Sequence, residues 1–310
     1  MPTRPTCSKA STPSAKSVSP SIAVSEMNPY RLGDIEIHRV VETEDPFLPL
    51  LEIFSDATPE DVEANRHWLE PKALTPDGVI IIPVQSYLVR TSRHTIVIDT
   101  CVGNHKSYDG MPGWKDRRQT TWMDNLRATG MSPDEIDYVF CSHLHVDHCG
   151  WNTSYQNGRW VPTFPNAKYV FSRPEYESSE RSNSSVFQEN VLPIMEADQG
   201  VLVDMDYQLD DEVWLKPTPG HTKGHVAINL ASQGQRGAMC GDLIHSPIQC
   251  LHPEWSPRFD RDPDLARQTR RKFLESHADN GDLVMTAHFP SPSIGHVVSR
   301  DEAFWFDYVP

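Results

Sequence analysis

Short apolar runs bounded by polar or turn-forming residues predict a series of β-strands. Ile35 and Ile37 alternate with polar neighbours after the Gly33–Asp34 turn signal, and this period of two predicts a first strand. The apolar runs 79–89 and 95–98 are separated by a polar Arg-Thr-Ser-Arg turn and predict a buried hairpin. Further strands are predicted by the short apolar runs at 138–141, 169–171, 213–215, 237–240 and 283–285.

Helices are predicted between these strands. Thr58 followed by Pro59 is typical of an N-cap and a first-turn proline. The apolar positions between 122 and 126 predict a second helix, and residues 187–195 predict a third that Pro193 bends. Two strand-rich halves flanked by helices favour a four-layer αββα sandwich, an α/β fold.

The N-terminal segment differs in composition from the rest of the chain. Residues 1–26 are rich in Ser, Thr, Pro and Lys and contain few large apolar side chains, so they bury too little surface to offset the entropy of ordering. We therefore expect a disordered tail at 1–26 and one catalytic domain at 27–310. Residues 172–200, with their Ser-rich stretch, are interpreted as an insertion on the substrate side of that domain.

Composition and charge narrow the classes of partner. The chain of 310 residues is 38% hydrophobic and carries a formal net charge of −15, so its surface field repels nucleic acid and anionic lipid. No run approaches the roughly 18 apolar residues that cross a bilayer, and the first residues lack the apolar block of a secretory signal. We therefore expect a cytoplasmic protein that binds neither nucleic acid nor membrane. The six cysteines include no Cys-x-x-Cys pair and indicate no disulfide scaffold.

A dense group of metal-ligand residues follows the strand predicted at 138–141. His143, His145, Asp147 and His148 fall within six residues, too close together for all to point the same way from a strand or a helix. A loop that carries them can direct two imidazoles at one cation and the remaining ligands at another. The alternative is a histidine-rich surface loop.

Three further residues of the same chemistry make the surface-loop alternative less favourable. His221, Asp242 and His288 each follow a predicted strand, so they are expected near the same edge of the fold. Nitrogen and oxygen ligands of this kind suit zinc, iron, manganese or cobalt. The combined pattern predicts two metal sites.

In this order, the set resembles the metallo-β-lactamase superfamily, and its motifs span most of residues 79–290. The resemblance implies the αββα fold and two divalent transition-metal ions, with Zn²⁺ expected and Fe, Mn or Co as alternatives. It also implies that Asp99 orients metal ligands, although an ordinary turn aspartate is an equal alternative. The implied ligands are His143, His145 and His221 for the first metal and Asp147, His148 and His288 for the second, with Asp242 bridging them.

Within this superfamily, two residues favour hydrolysis of esters or lactones. His145 stands where oxygen-reducing diiron relatives usually carry a glutamate, and Asp242 is the bridging carboxylate that true β-lactamases of the family lack. Segments 241–244 and 287–296 resemble methyl parathion hydrolase, and acyl homoserine lactonases share the implied metal set. The departures are the tail, the 172–200 insertion and Lys223, where proline is common.

We therefore predict a hydrolase that attacks an ester or lactone bond of a small, largely apolar substrate with a metal-bridging hydroxide. Asp242 acts through the bridge, and Asp147 receives or orients a proton. Phosphotriesterase or β-lactamase-like activity on the same fold is the alternative, and a non-hydrolytic metal-binding or redox protein is the alternative from another class. The small substrate is the expected partner, and a homodimer is left open.

Other histidines and aromatic residues have weaker assignments. A supporting or merely packed histidine is more common than an additional ligand, and the candidates for these roles are His225, His245 and His296. Large aromatic residues near the motifs either line an apolar pocket or, as is more common, belong to the core; these are Trp151, Phe187 and Phe289.

Overall fold

The computed structural model describes residues 29–111 and 113–310. The predicted tail at 1–26 therefore lies outside the described residues. The strands are β1 Tyr30–Leu32, β2 Ile35–Pro49, β3 Val79–Arg90, β4 Thr95–Ile98, β5 Tyr138–Phe140, β6 Thr153–Gln156, β7 Arg159–Pro162, β8 Lys168–Ser172, β9 Gly200–Val203, β10 Val213–Pro217, β11 Val226–Ser232, β12 Gln235–Met239, β13 Leu283–Met285, β14 Ile294–Arg300 and β15 Ala303–Tyr308. The α-helices are α1 Leu50–Ile53, α2 Pro59–Leu69, α3 Thr121–Ala128, α4 Val146–Cys149, α5 Arg173–Ser182, α6 Ser185–Asn190, α7 Leu192–Glu196, α8 Ile248–Leu251 and α9 Pro263–His277.

The strands form two large sheets and a separate hairpin. One sheet has seven strands in the order β1-β2-β3-β4-β5-β8-β9, and the other has six in the order β10-β11-β12-β13-β14-β15. Strands β6 and β7 pair only with each other in the described part of the chain.

Alternation along the strands builds three apolar layers. In β4, Ile96 and Ile98 face the core between the two sheets, whereas Val97 faces outward. Trp122 of α3 packs on the outer face of the first sheet, and Phe273 of α9 packs on the outer face of the second. The predicted four-layer αββα arrangement is confirmed.

Strand direction brings several chain segments to one edge of the fold. Strands β4, β5, β8 and β9 run parallel to one another in the first sheet. Strands β12 and β13 are parallel in the second, and β10 runs in the same direction because it is separated from β12 by one antiparallel strand. Within each sheet, the carboxyl ends of these strands therefore lie at one edge, and the metal-ligand residues that follow them in both sheets lie close together.

Local signals located some elements better than others. Thr58 is the N-cap of α2, as the Thr-Pro pattern predicted, and it also forms a capping box with Asp61. The single helix predicted for 187–195 is wrong, because Val191 separates α6 from α7. Pro193 is the second residue of α7 and does not bend a longer helix. A proline fits in the first turn because the backbone N–H groups there have no partner within the helix.

Two other expectations concern cysteines and membranes. The described cysteines, Cys101, Cys141, Cys149, Cys240 and Cys250, are free and buried, as expected for a chain without a disulfide scaffold. Within residues 29–111 and 113–310, no helix combines the length and apolar character needed to cross a membrane.

Candidate metal centre

The dense motif after β5 is part loop and part helix. His143 and His145 lie in the loop that leaves β5, whereas Asp147 and His148 lie in the single turn of α4. The expectation of a loop for all four residues is therefore only partly met. His145 is the N-cap of α4, and its extended backbone turns the chain so that ligands on both sides of it face the same space.

Four residues form what we call the first ligand group: His143, His145, His221 and Asp242. Nδ1 of His145 lies 3.0 Å from Nε2 of His143 and 3.0 Å from Nε2 of His221. Oδ2 of Asp242 lies 3.3 Å from Nε2 of His221 and 3.7 Å from Nε2 of His143. All these side chains come from different strand ends or from the loop after β5.

A second ligand group, Asp147, His148 and His288, lies directly beside the first. Oδ2 of Asp147 is 3.6 Å from Nε2 of His148 and 3.6 Å from Nε2 of His288. Oδ1 of Asp242 is 3.0 Å from the same two nitrogens. The structure thus brings all seven predicted residues together, and the two oxygens of Asp242 face different groups.

Asp99 holds ligands of both groups from behind. Its Oδ2 accepts a hydrogen bond from Nδ1 of His148 at 2.8 Å and another from the Ser142 hydroxyl at 2.8 Å. The Ser142 oxygen lies 3.1 Å from Nδ1 of His143, whose N–H it can accept. Of the two interpretations of Asp99, the orienting one fits these contacts, because both rings then present Nε2 to the centre.

The remaining Nε2 ligands are fixed in the same way. Nδ1 of His221 donates to Oδ1 of Asp260 at 3.0 Å, and Nδ1 of His288 donates to the Pro83 carbonyl at 2.9 Å. Asp260 also pairs with the buried guanidinium of Arg270 at 3.0 Å. These contacts fix the tautomers, so that lone pairs point inward.

The inward-facing atoms fit bound cations. In the first ligand group, His143 and His221 use their protons elsewhere, so a single proton on His145 Nδ1 can satisfy only one of them. The other Nε2 keeps a buried lone pair that receives no proton from this group, and a bound cation would accept that lone pair. In the second group, His148 Nε2 and Asp242 Oδ1 are buried and have no partner in hydrogen-bond geometry among the described residues.

Charge and burial set opposite protonation preferences in the two groups. Burial lowers the pKa of His145 to about 3 and that of His221 to about 4, so both imidazoles are neutral, as metal ligation requires. In His148 and His288, burial is the largest single effect and lowers the pKa, but the attraction and hydrogen bonding of Asp242 together with the attraction of Asp147 outweigh it and raise both pKa values. Although burial opposes ionisation of Asp242, the neighbouring His148 and His288 hold its pKa well below the usual range.

The three histidines with weaker assignments differ in how close they lie to the ligand groups. His225 Nε2 accepts the backbone N–H of Asp242 at 3.0 Å, and its Nδ1 donates to the Thr218 hydroxyl, so His225 supports the centre without facing it. His245 Nε2 lies 3.2 Å from Oδ2 of Asp242. His296 is in β14 and pairs with the Asp282 carbonyl, outside both ligand groups.

A cavity of about 290 Å³ opens in front of the two groups. Its apolar wall includes Phe47, Ile53, Ile80, Ile82, Trp114 and Phe259, and its polar wall includes Ser178, Ser179 and Arg261. The core interpretation of the three uncertain aromatic residues is confirmed, because Trp151, Phe187 and Phe289 belong to buried clusters and do not line this cavity.

Two residues of the centre had no sequence signal. Asp260 lies in an Asp-rich stretch, 258–264, where nothing distinguishes it from its neighbours. Glu175 stands at the start of α5 in the 172–200 segment, yet its carboxylate reaches the loops that follow β5 and β10. Only the tertiary contacts reveal their positions.

The comparisons with known proteins agree with this geometry. The family model described as Metallo-beta-lactamase superfamily matches residues 79–288. N-acyl homoserine lactonase AiiA of Bacillus thuringiensis subsp. kurstaki is 26% identical over 228 residues, which cover 70% of this chain and 85% of that protein. Two solved structures share the fold, each covering 91% of this chain and 97% of its own, with a TM-score of 0.76: hydrolase AbOPH in the beta lactamase superfamily, 24% identical, and AidC, a dizinc quorum-quenching lactonase, 23% identical.

Proposed function

Since this chain belongs to the metallo-beta-lactamase superfamily, we propose that it is a dinuclear-metal hydrolase that cleaves an ester or lactone bond of a small, largely apolar substrate. The observation that carries this proposal is the position of Asp242 between two ligand groups at the base of a cavity. Both groups, with their inward-facing lone pairs and buried carboxylate oxygens, have the donor chemistry of divalent transition-metal sites.

When bound, two such cations would lower the pKa of a water molecule toward neutrality and would polarise the substrate carbonyl that this water attacks. The protein's own residues hold and orient these components. Asp242 shares its charge between both groups, and the Asp99 and Asp260 carboxylates fix the imidazoles behind them. Asp147 lines the cavity, where its carboxylate can accept a proton during cleavage or return it to the leaving alkoxide.

The cavity walls support a substrate with an apolar acyl part. Phe47 and Trp114 stack with ring centroids 5.8 Å apart on one side, and Ile80 and Ile82 contribute aliphatic surface to the same cavity. Burial of such surface stabilises an acyl chain by about 0.8 kcal/mol for each methylene. The low polarity of this wall favours esters and lactones over strongly charged substrates.

The opposite wall offers hydrogen-bond donors. The Ser178 and Ser179 hydroxyls and the Arg261 guanidinium line the cavity and have no hydrogen-bond or ion-pair partner among the described residues. Carbonyl or amide oxygens of a substrate can accept from these groups. The two walls together suit an amphipathic ester or lactone, and the names of AiiA and AidC support a lactone in particular. Zinc is the metal that we propose, because AidC is described as a dizinc enzyme.

The test is a substrate screen on protein that has been stripped of metal and reconstituted with Zn²⁺. Lactones, aryl esters, thioesters, phosphotriesters and β-lactams would be compared at equal concentration, with the metal-free protein as the control. We expect close to two ions per chain by elemental analysis and the highest kcat/KM on lactones or esters. A stoichiometry fixed at one would overturn the dinuclear proposal, and a clear preference for phosphotriesters or β-lactams would overturn the proposed substrate class.

A further inference from the structure

We infer that Glu175 is a positioning residue whose carboxylate ties together the two loops that carry the histidines of the first ligand group. This inference rests on the proposed metal binding. It assigns the start of α5, in the 172–200 segment, a role in metal affinity that is separate from its contribution to the cavity wall.

The carboxylate of Glu175 makes one hydrogen bond to each loop. Oε1 accepts the backbone N–H of Leu144 at 3.1 Å, and Oε2 accepts the backbone N–H of Gly224 at 3.0 Å. The residue is only 6% exposed, so both bonds are shielded from water. Both carboxylate oxygens therefore act as acceptors, and the two backbone N–H groups oppose the burial that raises the pKa of Glu175.

The two backbone donors are adjacent to metal-ligand residues. Leu144 stands between His143 and His145, and Gly224 follows His221 by three residues. A single side chain thus spans the gap between the loop after β5 and the loop after β10. The 3.0 Å separation of His145 Nδ1 and His221 Nε2 depends on how far apart these loops are held.

Backbone packing at the start of α5 holds the glutamate close to its partners. The Ser172 hydroxyl donates to the Gly224 carbonyl at 2.6 Å, on the other side of the same loop. A Cβ atom at Gly224 would lie 2.2 Å from the Glu175 nitrogen, so only glycine permits this approach. The helix start and the 221–224 loop therefore form one closely packed unit.

Glu175→Gln is the principal test variant. The amide keeps the shape of the side chain but offers one acceptor in place of two, and its NH₂ group must face a backbone N–H. We expect the affinity of one of the two ions to fall by about 10 to 100-fold, as for other residues that orient ligands indirectly. Stepwise competition with a chelator would resolve the two ions. Glu175→Asp, which keeps the charge but is one methylene shorter, should fall between wild type and Glu175→Gln, and it serves if the glutamine variant does not fold.

Glu42→Gln is the matched control. Glu42 is also a buried glutamate that accepts two backbone N–H groups, those of Val102 and Gly103. Its other partners are the side chains of Arg117, Gln119 and Trp151, and it bonds to no residue of 142–145 or 218–225. Its replacement should lower the free energy of unfolding while leaving metal affinity near the wild-type value. If both variants lost the same metal affinity for the same loss of unfolding free energy, Glu175 would act only through the overall stability of the protein.

Amide hydrogen exchange of the metal-free proteins separates this inference from the proposed function. In Glu175→Gln, exchange should accelerate in the segments that contain Leu144 and Gly224, and Glu42→Gln should leave both segments unchanged. Wild-type exchange rates in these segments of Glu175→Gln would overturn the tie itself. Failure of the wild-type protein to bind metal would instead overturn the proposed function, and the exchange measurement would still decide whether the loops are tied.

Discussion

Oδ1 of Asp260 accepts a hydrogen bond from Nδ1 of His221 across 3.0 Å. Its second oxygen pairs with the guanidinium of Arg270, and both members of that ion pair are fully buried. Attraction to His221 and Arg270 outweighs burial and lowers the pKa of Asp260, which therefore carries its charge at neutral pH. One carboxylate thus links the orientation of a metal ligand to a buried ion pair.

Replacement of Asp260 by Asn should reduce both stability and metal affinity. Loss of the charge leaves Arg270 uncompensated in the interior, which typically costs about 3–5 kcal/mol of unfolding free energy. The weaker acceptor also holds His221 less firmly, so metal affinity should fall by about 10 to 100-fold. Urea denaturation and chelator competition would measure the two effects. Arg270→Met is the control: it should lose stability but keep the Asp260–His221 hydrogen bond, and an equal loss of metal affinity in this variant would contradict the orienting role.

Asp242→Asn and His225→Asn distinguish a bridging residue from a supporting one. If Asp242 serves both ions, loss of its charge should weaken metal binding and lower turnover by several orders of magnitude, about 10³-fold or more, whereas folding survives. His225 contacts the Asp242 backbone and not the centre, so its replacement should cost about 10 to 100-fold. Metal content and pH–rate profiles would be measured on one ester, with circular dichroism to verify folding. Wild-type turnover and metal content in Asp242→Asn would exclude the bridge.

Trp114→Ala should alter selectivity for acyl length. The indole stacks on Phe47 and lines the cavity, so its removal takes contact surface from a long acyl chain but little from a short one. We expect KM for long-chain esters to rise about tenfold, equivalent to about 1.4 kcal/mol, with kcat nearly unchanged because the contact is not specific to the transition state. Tyr155→Ala removes an aromatic residue that is 48% exposed and outside the cavity lining. An equal change in that control would refute the assignment of this wall to substrate.

Lys106 should make stability depend on pH above neutrality. Its side chain is buried, donates to the Thr153 hydroxyl and lies 3.7 Å from the centre of the Trp160 ring. Burial lowers the pKa of Lys106 from 10.5 to about 7, despite the opposing effects of Cys149, Glu189 and Glu42. Between these two pH values the unfolded chain holds a proton that the folded chain has released, so the free energy of unfolding should rise with pH by at most about 1.4 kcal/mol per unit.

Lys106→Met removes this titration and provides the comparison. Denaturant unfolding of both proteins between pH 7 and 9.5 would be measured, so that contributions from other titrating groups cancel in the difference. The stability of wild type relative to Lys106→Met should increase with pH across this range. A difference that stays constant would mean that the lysine keeps its ordinary pKa in the folded protein.

Local sequence signals predicted elements where neighbouring residues decide the structure. The Thr-Pro start of α2 carries its own cap, and the strands that precede the ligands are short apolar runs closed by polar residues. The β6–β7 hairpin was missed although Asn157 and Gly158 form its turn with φ values of 50° and 81°, a pattern that favours hairpins. Its strands are mostly polar, so the pattern of hydrophobic residues did not predict them.

The sequence by itself determined which residues could bind metal, because imidazoles and carboxylates at close spacing and after successive strands have few other uses. Only the tertiary structure decided which atoms face each other. Asp260 and Glu175 are 39 and 31 residues from the partners they hold, His221 and Leu144. Such contacts depend on how sheets and helices pack, and no local pattern of residues predicts a contact between residues so far apart in the sequence. The same packing decided that Trp151 belongs to the core and Trp114 to the cavity, since hydrophobicity alone does not say which surface a side chain will meet.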